Sequence, residues 1–157
     1  MGDAAPTLEQ FFEAAEGLMV RATCVMARGQ IDREERVWQY IDQLAKFGVR
    51  QFTFKHTYVA YEDSVFAESV EDRWAAEHRV AFDPFSNQGE VLAELPWGPA
   101  IRRIGEFQVC YYHEPTPDWE KEHQICRSVN LLSDGTVYAS LEDRSSRLFR
   151  LTDSSPR

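Results

Sequence analysis

The hydrophobic positions change period along the chain, and each change marks an element. Over residues 7–17, Leu8, Phe11, Phe12 and Ala15 recur at helical spacing, with Thr7 and Gln10 placed as a capping box and Gly17 at the end. Residues 18–26 (LMVRATCVM) alternate instead. Val20, Ala22, Cys24 and Met26 share one face of a strand, and Arg21 and Thr23 point the other way. After a turn at residues 28–30, Asp32 with Glu35 predicts a capped helix whose buried stripe is Val37, Ile41, Leu44 and Ala45, stopped by Gly48. Residues 49–58 (VRQFTFKHTY) return to alternation, with Phe52, Phe54 and His56 opposite Gln51, Thr53 and Lys55. Strand, helix and strand with short joints predict a right-handed βαβ unit in a parallel sheet.

The second half is more broken. A polar stretch at 60–69 leads into a helix over 70–80, capped by Ser69 with Asp72. Residues 84–89 read as loop and 90–95 as at most a short helix, ended by Pro96-Trp97-Gly98-Pro99. Residues 106–112 form a third strand, with Phe107, Val109 and Tyr111 opposite Gln108, Cys110 and Tyr112. A short helix is expected around 119–125, and Asp134-Gly135 between strand-like runs predicts a hairpin over 128–141. The expected fold is α/β, one domain over residues 1–151, with a disordered tail at 152–157.

Composition narrows the classes. The chain has 157 residues, enough for one core without staples. Seventeen Lys and Arg against 26 Asp and Glu leave a net charge of -9, which argues against a nucleic-acid backbone as partner. No apolar run approaches the roughly 20 residues that cross a bilayer. Met1 to Pro6 lacks the basic and apolar regions of a signal peptide, and three dispersed cysteines favour reduced thiols, so a cytoplasmic location is expected. Cys24, Cys110 and Cys126 form no CxxC or Cys/His zinc spacing, so no metal site is assigned.

The strand faces carry the chemistry. A parallel strand buried on both sides is apolar nearly throughout, yet here Arg21, Thr23, Gln51, Thr53 and Lys55 occupy one face. Two readings remain open: a solvent-facing sheet surface, or the polar interior of a barrel-like pocket. In the second, Thr53 and Lys55 lie near the carboxyl end of their strand, where α/β active sites gather, and Lys55 holds an anion as a point charge.

The segments 21–26 (RATCVM), 29–32 (GQID) and 48–55 (GVRQFTFK) resemble the middle strands of radical S-adenosylmethionine enzymes. The later segments 95–99 (LPWGP), 110–115 (CYYHEP) and 132–143 (LSDGTVYASLED) resemble the C-terminal region of the same enzymes. The likeness spans residues 18–151 in order. It implies the second half of a partial (β/α) barrel with parallel strands, flanking helices and a C-terminal antiparallel hairpin. It implies cofactor contacts from Arg21, Thr23, Thr53 and Lys55, and substrate contacts from Gln51, Cys110 and Tyr112. The family holds a [4Fe-4S] cluster through a CxxxCxxC motif and cleaves S-adenosylmethionine to a 5'-deoxyadenosyl radical. That motif is missing here.

The chain is therefore not expected to be active alone, and it binds no cluster by itself. S-adenosylmethionine and [4Fe-4S] enter only with a partner. The resemblance implies the C-terminal half of a split enzyme, completed by a cluster-bearing polypeptide, with self-association the other way to cover open edges. The alternative is a non-catalytic relative that binds or regulates. The remaining polar residues have ordinary readings. His56 and His78 sit among apolar neighbours, Ser133 and Ser140 lack a nucleophile elbow, Trp97 belongs to a packed turn, and residues 142–144 (EDR) form a solvated charge cluster.

Overall fold

The computed structural model describes residues 5–151, and the tail expected at 152–157 lies outside them. The protein is a mixed α/β fold with a five-stranded mixed sheet and a three-stranded antiparallel sheet. It divides into two compact units. One takes the chain through Thr57 together with His78–His113, and the other takes Tyr58–Glu77 and the chain from Glu114.

The first unit opens with helix α1 (Leu8–Ala14), whose capping box is formed: Thr7 Oγ1 accepts from the Gln10 amide and Gln10 Oε1 from the Thr7 amide. Phe12 on this helix stacks on Phe47 at 4.8 Å. Strand β1 (Arg21–Met26), helix α2 (Glu34–Ala45) and strand β2 (Gln51–His56) follow, and β1 and β2 pair in parallel as the strand–helix–strand spacing predicts. Helix α2 buries Val37, Ile41 and Leu44 at the expected helical interval. Its cap differs from expectation. Arg33 takes the cap position, while Asp32 accepts from the Gly29 amide at 2.8 Å and shapes the preceding turn. Gly48, at φ +83°, ends the helical segment in a conformation that costs other residues a Cβ clash.

Strands β3 (Glu90–Glu94), β4 (Ala100–Ile104) and β5 (Phe107–Tyr112) complete this sheet in the order β1-β2-β5-β4-β3. Strand β5 runs parallel to β2, and β4 and β3 return antiparallel. This corrects the expectation of a short helix at 90–95. Residues 96–99 turn a hairpin instead, with the Leu95 amide donating to the Pro99 carbonyl at 2.8 Å. Trp97 Nε1 donates to the His113 carbonyl at 3.0 Å, so the indole is part of the turn. Gly89 sits where a Cβ would lie 2.2 Å from the Arg103 carbonyl oxygen, so only glycine lets the hairpin legs approach.

The core lies on one face of this sheet. Met26, Val37, Ile41, Leu44, Val49, Phe52, Phe54, Phe85 and Val109 are buried together, and Ala22, Cys24 and Tyr111 pack against them. Each such apolar side chain contributes about 1.5–3 kcal/mol of burial. Thr57 closes the carboxyl end of β2, donating from Oγ1 to the Met26 carbonyl at 2.6 Å.

The second unit contains helix α3 (Val70–His78) as far as Glu77, helix α4 (Pro117–Glu122) and strands β6 (Asn130–Leu131), β7 (Thr136–Tyr138) and β8 (Arg147–Arg150). The Asp-Gly hairpin is present between β6 and β7, and β8, which the sequence pattern did not mark, pairs on the far side of β7. The Asp72 amide donates to Ser69 Oγ at 3.0 Å, the expected cap of α3. Residues 142–144 are partly solvated, with Glu142 and Asp143 half-buried and Arg144 exposed, and each also bonds within the unit. Glu142 accepts from the Tyr58 hydroxyl, Asp143 caps a 3-10 turn at Arg144–Ser146, and Arg144 Nε donates to the Ser64 carbonyl at 2.8 Å. No helix among the described residues is long and apolar enough to cross a membrane.

Candidate functional site

The face of the five-stranded sheet opposite α2 carries the polar residues in three lateral rows. Parallel register puts Arg21 beside Gln51 and Gln51 beside Gln108, and the antiparallel step adds Arg103. The second row runs Thr23, Thr53, Cys110, Ile101 and Ala93. The third pairs Lys55 with Tyr112. Side chains in register on neighbouring strands share a face, so alternation in three separate segments yields one continuous surface.

A cavity of about 380 Å³ lies on this surface. All seven residues nominated from the sequence line it: Arg21, Thr23, Gln51, Thr53 and Lys55 from β1 and β2, and Cys110 and Tyr112 from β5. Its size is within the range of small-molecule sites, roughly 300–1,000 Å³. The cavity is open and set on one face of the mixed sheet.

The polar groups are ordered by neighbours. Arg21 donates from Nε and Nη2 to Gln51 Oε1 at 3.3 and 3.2 Å, which fixes the fork of the guanidinium at one end of the cavity. Arg103 at the far side of that row pairs with Glu90 at 3.3 Å. At the other end the Lys55 ammonium sits 4.6 Å from the centre of the Tyr112 ring, a cation–π contact. Burial pushes the Cys110 thiol up, with Asp83 adding to the effect and Arg21 opposing it. Cys110 is therefore protonated at neutral pH and a poor nucleophile.

Sequence reasoning missed the fourth wall. Ala93, Leu95, Pro99 and Ile101 come from the β3–β4 hairpin and give the cavity its apolar side. Two short apolar runs, 91–93 and 100–101, flank the Pro-Trp-Gly-Pro turn, and that was the available signal. Gln108 also lines the cavity, on the face its alternation assigns.

The thiols do not assemble a metal centre. Cys24 packs on the core side of β1, where burial raises its thiol to about 11, whereas Cys110 faces the cavity. Cys126 belongs to the second unit. Among the described residues no three His, Cys, Asp or Glu side chains are grouped to hold a metal ion. An iron–sulfur cluster does not fit this chain's own residues. The sheet face offers a guanidinium, two carboxamides and two threonine hydroxyls, groups that hydrogen-bond a polar ligand. Comparison with family models, with curated proteins and with solved structures finds no match for this chain.

Proposed function

We propose that this chain is a ligand-binding half of a split enzyme of the radical S-adenosylmethionine type, with the cluster supplied by a partner polypeptide. The observation that supports it is the convergence of Arg21, Thr23, Gln51, Thr53, Lys55, Cys110 and Tyr112, from three adjacent parallel strands, on one cavity. In this reading β1, β2 and β5 are parallel strands of a partial barrel, and β1, at the end of the sheet order, is the edge that takes the partner's strands. Arg21, Thr23, Thr53 and Lys55 bind and orient the cofactor, and Gln51, Cys110 and Tyr112 face the substrate. The radical chemistry belongs to the cluster-bearing partner.

Calorimetric titration with S-adenosylmethionine tests the proposal. Saturable one-site binding that Thr53→Val weakens about five-fold is expected, because one hydrogen bond to a bound polar group is worth about 1 kcal/mol. Absence of binding at millimolar cofactor overturns it.

A second reading, a non-catalytic binding or regulatory protein, has its own support. The β4 strand pairs antiparallel on β5, on the side where a barrel would add its next parallel strand. Sedimentation across a dilution series separates the two. A half-enzyme with an open β1 edge self-associates or waits for its partner, while a strictly monomeric chain that binds the ligand favours the second reading.

A further inference from the structure

We infer that the cavity on the five-stranded sheet selects a small amphipathic carboxylate, with its carboxylate on Arg21 and its apolar body against the β3–β4 hairpin. This goes beyond the proposed function by naming a ligand class that competes with the cofactor for Arg21, and it rests on that cavity being a ligand site.

Three observations carry it. First, the described acceptor of the Arg21 guanidinium is a neutral carboxamide, Gln51 Oε1, and no carboxylate among the described residues lies within ion-pair distance of Arg21. Elsewhere on the same row Arg103 has Glu90 at 3.3 Å. Arg21 thus brings to the cavity a positive charge with no ion-pair partner among the described residues, in a chain whose net charge is -9. Its field reaches Cys110, where it is the influence that opposes the rise of the thiol. A guanidinium held at its Nε edge still presents donors to a carboxylate, in the forked geometry that suits one.

Second, the cavity is polar along the strand rows, with Arg21 at one end and Lys55 at the other, and apolar on the hairpin side. The Arg21–Gln51–Gln108 row gives one end a cation and two carboxamides. The hairpin wall is Ala93, Leu95, Pro99 and Ile101, and the Tyr112 ring lies under the Lys55 ammonium. An apolar wall favours methylene or ring carbons, each buried CH₂ contributing about 0.8 kcal/mol, a roughly four-fold gain in affinity. Third, Glu94 lines the hairpin side. It repels a carboxylate from that side and so fixes which way round the ligand lies. From the Gln51 row to the Lys55 row is four residues along β2, about 13 Å at strand rise, which sets the length of molecule the site accepts.

Calorimetry of the full chain with hexanoate, octanoate and octanamide tests the inference, with S-adenosylmethionine as a fourth titrant. Octanoate should bind about 15-fold tighter than hexanoate, for two added methylenes. It should bind about five- to ten-fold tighter than octanamide, the margin of a charge-assisted over a neutral hydrogen bond. Arg21→Gln should erase the acid–amide margin and keep the chain-length dependence, while Lys46→Gln, a charge loss on an exposed residue after α2, should change neither. Cys110→Trp, which fills the cavity, should abolish all binding. Equal affinity for acid and amide in the wild type, or a margin that survives Arg21→Gln, overturns the inference. If Arg21→Gln does not fold, the wild-type acid–amide comparison decides alone. Saturable S-adenosylmethionine binding with no octanoate binding overturns this inference and leaves the proposed function standing. No binding of any of the four overturns both.

Discussion

Adjacent residues on β2 face opposite fates, and that makes Phe54→Ala against Thr53→Ala the most direct test of the fold. Phe54 is fully buried, with its ring 5.7 Å from Tyr40 and 5.6 Å from Phe85, both edge-on. Removing the ring loses its transfer energy and leaves a cavity that surrounding aromatic rings cannot close. Such truncations cost about 3–5 kcal/mol, and each lost ring pair adds roughly 0.5–1.5 kcal/mol within that range. Thr53, one residue earlier, points to the open cavity, and Thr53→Ala should cost under about 1 kcal/mol. A domain of ordinary stability has about 5–15 kcal/mol to lose, so the first variant is severely weakened and the second is not. Urea unfolding followed by tryptophan emission and far-ultraviolet dichroism reads both. Trp38 packs edge-on against Phe85 at 6.0 Å and reports this core directly. With an m-value near 2 kcal/mol per molar, Phe54→Ala should lower the midpoint by about 2 M. A loss below about 1.5 kcal/mol for Phe54→Ala, or an equal loss for Thr53→Ala, would refute the assignment of the two sheet faces.

Three further outcomes follow from the same geometry. Lys55→Met keeps the aliphatic stem and removes the ammonium over Tyr112, so urea stability should hold within about 1 kcal/mol while calorimetric affinity for S-adenosylmethionine falls; unchanged affinity removes Lys55 from the site. The Cys24 thiol is raised by burial from 9.0 to about 11, so the stability it contributes is complete below pH 9 and is lost as pH rises through 11. Urea midpoints between pH 8 and 11 should fall less steeply in Cys24→Ala than in wild type, and parallel curves would count against a buried thiol. Gly89→Ala drives a Cβ to 2.2 Å from the Arg103 carbonyl oxygen at φ +67°, and should cost roughly 2 kcal/mol and weaken every ligand of the cavity through the displaced hairpin; a neutral substitution would show that the hairpin legs do not close as described.

Much of the first unit was legible because its signals are local. The period of Val37, Ile41 and Leu44 on α2, and the alternation of β1, β2 and β5, depend on side chains a few residues apart answering to one buried face. The α1 capping box and the Asp134-Gly135 turn are likewise written within four residues. The hairpin of β3 and β4 was not legible in that way. All five residues of β3 are exposed, so no burial pattern imprints alternation on them. Glu94 and Glu90 read as polar helix or loop until β4 is there to pair with. The bonding of residues 142–144 was hidden for a related reason: a solvated charge such as Arg144 also donates to a carbonyl far away in sequence, that of Ser64.

By itself the sequence determined the parallel core of the sheet and which side chains of each strand stand on its polar face, because alternation within a strand follows from backbone geometry alone. It also determined that no cluster motif is present. Only the tertiary structure decided that those polar faces meet in one cavity, since register between strands far apart in the chain is set by the core they bury together. It also decided that the cavity's apolar wall comes from residues 93–101, whose pairing is non-local and whose positions no short-range pattern specifies.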